Sequence, residues 1–159
     1  MFLNKIKLFL VISICLIFFF LTYFDVKSSE LKIIDGDTIH LNGEKIRFSG
    51  IDSPEIKQTC NKNNEIVKCG IQAKELLAKK IENNKVNCVR EGKDQYKRTL
   101  AECFVNDLSL SSYLVKSGYA FAYRKYSKKF IGDEDFARLN NLGMWSMDFE
   151  YPWDWRKKN

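Results

Sequence analysis

The chain has a single histidine, His40, and no pair of cysteines in C-x-x-C spacing. A Ser-His-Asp or Cys-His catalytic set has only one isolated imidazole to draw on, and a zinc site lacks its usual paired ligands. No glycine-rich loop of the phosphate-cradling kind is present. Past residue 30 there is no internal repeat and no low-complexity tract, and 159 residues suit one catalytic domain with little room for a second.

Apolar residues and positive charge are plentiful. Hydrophobic residues make up 45% and charged residues 29%, the balance of a globular chain rather than a disordered one. Lys and Arg total 26 against 20 Asp and Glu, a net charge of +6. Such a chain favours anionic partners, either nucleic acid or an acidic membrane surface.

Residues 1–29 stand apart from the domain expected over 30–159. Lys5 and Lys7 precede an uncharged apolar run from Leu8 to Phe24, and Asp25 and Lys27 follow it. This is the pattern of a cleaved signal peptide or of a retained transmembrane signal anchor, and both place the domain outside the cytoplasm. Its 17 residues sit at the lower edge of what spans a bilayer as a helix. Val26-Lys27-Ser28 offers a cleavage site, whereas Ile14 before Cys15 argues against a lipidated cysteine.

Four cysteines remain beyond that segment, an even number that in an exported domain implies two disulfides. Cys60–Cys69 would close a short polar loop after the Pro54-Glu55 corner. Cys88–Cys103 would span a hairpin as cross-strand partners, which lie ~4.5–5.5 Å apart in Cα, within disulfide reach.

Short β-type runs cover Leu31 to Ile34, Thr38 to Leu41 and Lys45 to Phe48, with Asn42-Gly43 as a hairpin turn. A helix is predicted over 71–82, with Ile71, Leu76, Leu77, Ala78 and Ile81 inward. Two strands, Lys85 to Arg90 and Thr99 to Val105, flank the polar turn Glu91-Gly92-Lys93-Asp94. A second helix opens at Asp107-Leu108-Ser109 and stops at Gly118, and a third runs from Asp133 to Asn141 and ends at Gly143. The order predicts an α+β fold, compatible with a five-stranded OB-type barrel. In the tail, the Trp153 and Trp155 rings are expected to pack the C-terminus onto the domain rather than to stack on bases.

Three polar clusters suit chemistry better than packing: Asp35-Gly36-Asp37-Thr38; Arg47 with Asp52-Ser53-Pro54-Glu55; and Asp94-Gln95-Tyr96-Lys97-Arg98. Asp37 and Asp52 bring hard oxygen ligands suited to Ca²⁺ or Mg²⁺. Arg47 and Arg98 can clamp a phosphate and offset charge growing in its transition state. Glu55 can orient or deprotonate a water. Together these parts suffice for phosphodiester hydrolysis. Taken singly, each has a plainer reading as a turn, a helix start or a surface charge.

Ile33-Ile34-Asp35-Gly36-Asp37-Thr38, Ile46-Arg47-Phe48 with Asp52-Ser53-Pro54-Glu55, and Asp94 to Ala101 together resemble the three signature segments of the staphylococcal nuclease family. The similarity continues through Leu114 to Ala120 and Asn141 to Trp145, and covers residues 31–147. The four cysteines and Pro152-Trp153-Asp154-Trp155-Arg156 resemble an exported bacterial branch. The resemblance implies an OB-fold barrel of five strands with three helices. It implies Ca²⁺ held by Asp37, Asp52 and the carbonyl of Ser53, Glu55 as general base or water-positioning residue, and Arg47 and Arg98 on the scissile phosphate. The implied substrates are DNA and RNA, cleaved to leave 3′-phosphate ends. A second expectation is an OB-fold nucleic-acid-binding module, catalytically weak, at the membrane surface. Ser53 stands where Thr is common and Lys97 where Gly is common; Lys97 either alters the turn or adds a phosphate contact.

Overall fold

A computed structural model describes residues 30–159. The export or anchor segment expected at the N-terminus lies outside them. Among the described residues no helix is long and apolar enough to cross a membrane.

The first strands are β1 (Leu31–Ile33), β2 (Thr38–Leu41) and β3 (Glu44–Phe48), an antiparallel meander. Asn42 and Gly43 both take positive φ, the twist a two-residue hairpin turn requires. After β4 (Ile51–Asp52), β5 (Cys60–Lys62) and β6 (Glu65–Val67) form a small hairpin that the sequence pattern did not reveal. Its turn is Asn63-Asn64, again at positive φ. Helix α1 (Cys69–Ile81) leads to the long antiparallel pair β7 (Asn87–Lys93) and β8 (Thr99–Val105). The predicted turn at Glu91 to Asp94 is displaced: β7 runs on to Lys93 through a bulge at Gly92, and the reversal falls at Asp94 to Lys97. Then follow β9 (Leu108–Ser109), α2 (Leu110–Lys116), β10 (Phe121–Ala122), α3 (Ile131–Leu139), a 3₁₀ turn (Gly143–Ser146) and α4 (Pro152–Lys158).

The main sheet runs β1-β2-β3-β8-β7, with β9 alongside β8, and is mixed because β3 and β8 are parallel. The α+β class stands. Two details of the expected five-stranded barrel with three helices differ. Among the described residues no ladder joins β7 back to β1, so hydrogen bonds do not close the sheet. Three-residue β1 packs against α1 instead. Among the described residues there are also four α-helices rather than three. The fourth forms because Pro152 occupies the first turn, Asp154 lies near its N-terminus, and Arg156, Lys157 and Lys158 lie at its C-terminal end.

The buried line of α1 is Cys69, Ala73, Leu77 and Ile81, a four-residue spacing. Ile71, Leu76 and Ala78, expected inward, are only half-buried. Ser109 caps α2 by accepting the Ser112 N–H at 3.2 Å. Gly118, at φ +76, ends that helix as predicted: the Tyr119 N–H returns to the Leu114 carbonyl at 3.0 Å and the Gly118 N–H to that of Val115 at 2.9 Å. The same six-to-one closure ends α3, but Asn141, not Gly143, supplies its left-handed residue, and the Leu142 N–H reaches the Ala137 carbonyl at 2.9 Å.

Both predicted disulfides are present, with Cα–Cα separations of 5.8 Å for Cys60–Cys69 and 4.0 Å for Cys88–Cys103. Cys88 and Cys103 are direct cross-strand partners. One apolar core lies between the sheet and α1 and α2. A second surrounds Cys60, Cys69, Phe121 and Met144, and Trp145, Phe149 and Trp153 pack against it. Trp153 thereby seats the C-terminal tail on the domain, as expected of it, whereas Trp155 is half-buried outside this core.

Candidate functional site

Asp37 leaves a tight turn immediately before β2. Its own N–H donates to Asp35 Oδ1 at 3.0 Å, and its carbonyl accepts the Phe48 N–H at 2.8 Å. Asp52 closes β4, where it pairs with Phe121 of β10. Arg47 sits in β3 between Thr38 of β2 and Leu100 of β8. These placements bring the three residues together: Arg47 Nη1 donates to Asp37 Oδ1 at 2.5 Å, and Nη2 donates to Asp52 Oδ1 at 2.6 Å.

Both carboxylates are out of water, Asp37 at 2% exposure and Asp52 at 0%. Such groups must be paired and hydrogen-bonded to be tolerated. Asp37 also accepts the Thr38 hydroxyl at 3.1 Å and the Ser53 N–H at 2.8 Å. The Ser53 hydroxyl donates to the Tyr119 carbonyl at 3.1 Å, which fixes the corner that carries Asp52. Burial pushes the Asp37 carboxyl up from 3.8 to about 6, and the Arg47 guanidinium opposes the shift without cancelling it. Burial works against the charge on Arg47, but Asp37 and Asp52 outweigh it and hold the guanidinium above its ordinary value.

Glu55 stands at the rim. Its backbone is tied to Gln58, which is wholly buried and donates onward to the Glu150 carbonyl at 2.7 Å. Its side chain meets Arg156 of α4, whose Nη1 donates to Glu55 Oε1 at 2.8 Å and to Asp52 Oδ1 at 3.1 Å. Arg156 Nη2 donates to Asp52 Oδ2 at 2.7 Å. Gln58 and Arg156 are the residues that sequence reasoning missed. The available signal for Arg156 was its position one helical turn after Trp153, a residue expected to be packed.

Arg98 is the sequence-predicted site residue that does not join this cluster. It precedes β8, the strand beside that of Arg47, but its Nε donates to Asp94 Oδ2 at 2.6 Å and its guanidinium lies 5.4 Å from the Tyr96 ring. Burial would raise the Asp94 carboxyl, but hydrogen bonds from Arg98 hold it below its usual value. Lys97 takes φ +63 in that turn, the conformation that suits glycine. Other buried acids have local explanations. Glu134 accepts the Ala122 N–H at 3.0 Å and pairs with Arg124, and Glu102 pairs with Lys129.

Asp37, Asp52 and Ser53 form an all-oxygen donor set with no sulfur or imidazole, suited to a hard cation. Two buried carboxylates bridged by guanidinium groups mark a place that requires positive charge, and in that sense the set fits such an ion. Among the described residues no group of three or more His, Cys, Asp or Glu side chains is placed to hold a metal, so carbonyl, water or substrate oxygens would have to complete the shell.

The raised Asp37 sets a pH dependence. Its folded value of about 6 lies above 3.8, so in chelator the folded chain binds more protons across that interval. Its contribution to stability is therefore full at low pH and is lost as pH rises through about 6. Urea titrations of wild type and Asp37→Asn from pH 4 to 7 are expected to diverge, the variant gaining stability relative to wild type as pH rises through about 6. A difference that stays flat with pH would overturn this.

A profile of the staphylococcal nuclease homologue family matches residues 45–147. The span takes in Arg47, Asp52, Ser53, Glu55 and Arg98, and excludes Asp37 and α4. An uncharacterized endonuclease of Haemophilus influenzae is 29% identical over 136 residues, covering 80% of this chain and 71% of that protein. A micrococcal nuclease of Shigella flexneri is 28% identical over 151 residues, covering 84% and 82%. A probable staphylococcal-like nuclease of rice is 32% identical over 116 residues, 71% of this chain but only 29% of the plant protein. With the profile covering well over half its length, the chain belongs to the family of staphylococcal nuclease homologues.

Proposed function

We propose that this chain is a calcium-dependent nuclease that hydrolyses phosphodiester bonds of DNA and RNA and leaves 3′-phosphate ends. The observation that carries the reading is the buried pair Asp37 and Asp52, bridged by Arg47 with Glu55 at the rim. Relatives named as nucleases and an endonuclease support it.

In this reading Asp37, Asp52 and the Ser53 carbonyl would hold Ca²⁺. The bound ion supplies electrostatic stabilisation of the phosphate oxygens as negative charge grows on them. Arg47 donates from its planar fork to the same phosphate. Arg98, at the start of the neighbouring strand, would have to leave Asp94 to reach the same phosphate. Glu55 accepts a proton from, or orients, the water that attacks phosphorus, and the 5′ oxygen departs. The donors stay in place because the β2–β3 and β3–β8 ladders fix them.

The test is cleavage of plasmid DNA and RNA by the purified chain. Calcium chelation is expected to abolish activity, Ca²⁺ to restore it, and Mg²⁺ to support much less, since Mg²⁺ demands tighter octahedral order. End-group analysis should find 3′-phosphates. Robust cleavage in metal-free buffer would sink the metal-assisted mechanism. Binding of nucleic acid without cleavage under any metal would favour the membrane-surface binding module instead.

A further inference from the structure

Asp52 is fully buried, yet both its oxygens are already occupied. Oδ1 accepts from Arg47 and Arg156, and Oδ2 accepts from Arg156. The same Arg156 nitrogen that reaches Oδ1 also reaches Glu55. One guanidinium thus bridges two carboxylates, in the position a cation shared between them would take. It comes from the far end of the chain, on the seven-residue helix α4.

The helix is held at its other end by aromatic packing. The Trp153 ring lies between those of Tyr151 and Tyr123, near-parallel to both, with centroids 4.6 and 5.8 Å away. The Trp153 ring also meets Phe121, the cross-strand partner of Asp52. So short a helix is marginal by itself and depends on docking. The aromatic stack and the Arg156 ion pairs with Asp52 and Glu55 both hold it to the domain.

Resting on the reading of Asp52 as a cation ligand, we propose that Arg156 is a resident counter-ion of the cation site. It neutralises Asp52 and Glu55 until a divalent cation arrives and takes its place. The physical reason is direct. A dication on Asp52 repels the guanidinium that holds its Oδ2, an oxygen bound by Arg156 alone, whereas Arg47 binds only Oδ1. Loading therefore frees Arg156 and Glu55 together and loosens the end of α4, while Trp153 keeps the helix tethered. Binding of cation and docking of α4 are then negatively coupled, each weakening the other by the same factor.

Calorimetric titration of CaCl₂ into the full chain in detergent micelles tests this, beside hydrogen exchange of residues 153–158. Arg156→Gln is expected to bind Ca²⁺ at least ~10-fold more tightly, within the usual range of such couplings. Arg156→Lys keeps the charge but not the planar fork and should fall between wild type and Arg156→Gln. In the unaltered protein, saturating Ca²⁺ should speed exchange in α4, a readout that needs no variant to fold. Equal or weaker binding by Arg156→Gln, or unchanged exchange in wild-type α4 at saturation, would overturn the proposal. Calcium binding that Asp37→Ala abolishes but Arg156→Gln leaves unchanged would refute the counter-ion alone. Absence of calcium binding in every form would remove the cation reading and the counter-ion with it.

Discussion

Arg47→Ala is expected to lower turnover by about 10²–10³-fold, the loss typical of one well-placed electrostatic donor. Arg47→Lys should recover only part of it, because an ammonium cannot span two acceptors as a planar fork does. The substitution should also change stability in a way that separates the two roles of the residue. Without Arg47, Asp37 keeps only the Thr38 hydroxyl and the Ser53 N–H as partners in a site with 2% exposure. Breaking a buried pair by removing one partner costs about 3–5 kcal/mol, and protonation of Asp37 would relieve part of that at acid pH. Arg47→Ala combined with Asp37→Asn should therefore regain stability and remain inactive. Near wild-type kcat for Arg47→Ala, measured as acid-soluble nucleotide release, would remove the arginine from the mechanism.

Gly118→Ala is expected to destabilise the domain by about 2–4 kcal/mol, from left-handed strain and overpacking together. At φ +76 an added Cβ would lie 2.0 Å from the Leu142 carbonyl oxygen, a backbone atom that cannot rotate aside. The junction cannot open easily, because the Met144 N–H donates to the Gly118 carbonyl at 2.9 Å from the other side. Since Tyr119 follows directly and its carbonyl anchors Ser53, the change should also disturb the corner bearing Asp52. Thermal unfolding in chelator reads the effect. A melting temperature within about 2 °C of wild type would show that the helix end tolerates a side chain there.

The sequence was most informative where one local rule acted alone. Thr38 to Leu41 and Thr99 to Val105 matched their strands because short apolar runs with β-branched residues, bounded by turn signals, had no competitor. Both disulfides followed from spacing and cross-strand geometry. The hairpin at Cys60 to Val67 did not, because its strands are mostly polar and exposed and are held by a disulfide rather than a hydrophobic face. For α3, Asn141 and Gly143 are both competent left-handed residues, and only the backbone hydrogen bonds distinguish them. In the site, Asp37, Arg47 and Asp52 were named from the motif and lie together. Arg98 is turned onto Asp94, four residues back, and not toward the cluster that the motif placed it with. Arg156 lies 104 residues from Asp52, and only tertiary docking connects them.

The parallel seam between β3 and β8 governs how the molecule comes apart. Arg47 and Leu100 are register partners 53 residues apart, whereas Cys88 and Cys103 close a span of 15. Bringing the longer span together costs about 1 kcal/mol more in chain entropy, and no covalent link reinforces it. The hairpins on either side are local, and β7–β8 is cross-linked. Local opening will therefore split the sheet at this seam first, leaving two intact halves. Arg47 would stay with the N-terminal half and Arg98 with the other, so the two arginines proposed to bind phosphate would separate while most of the secondary structure persists.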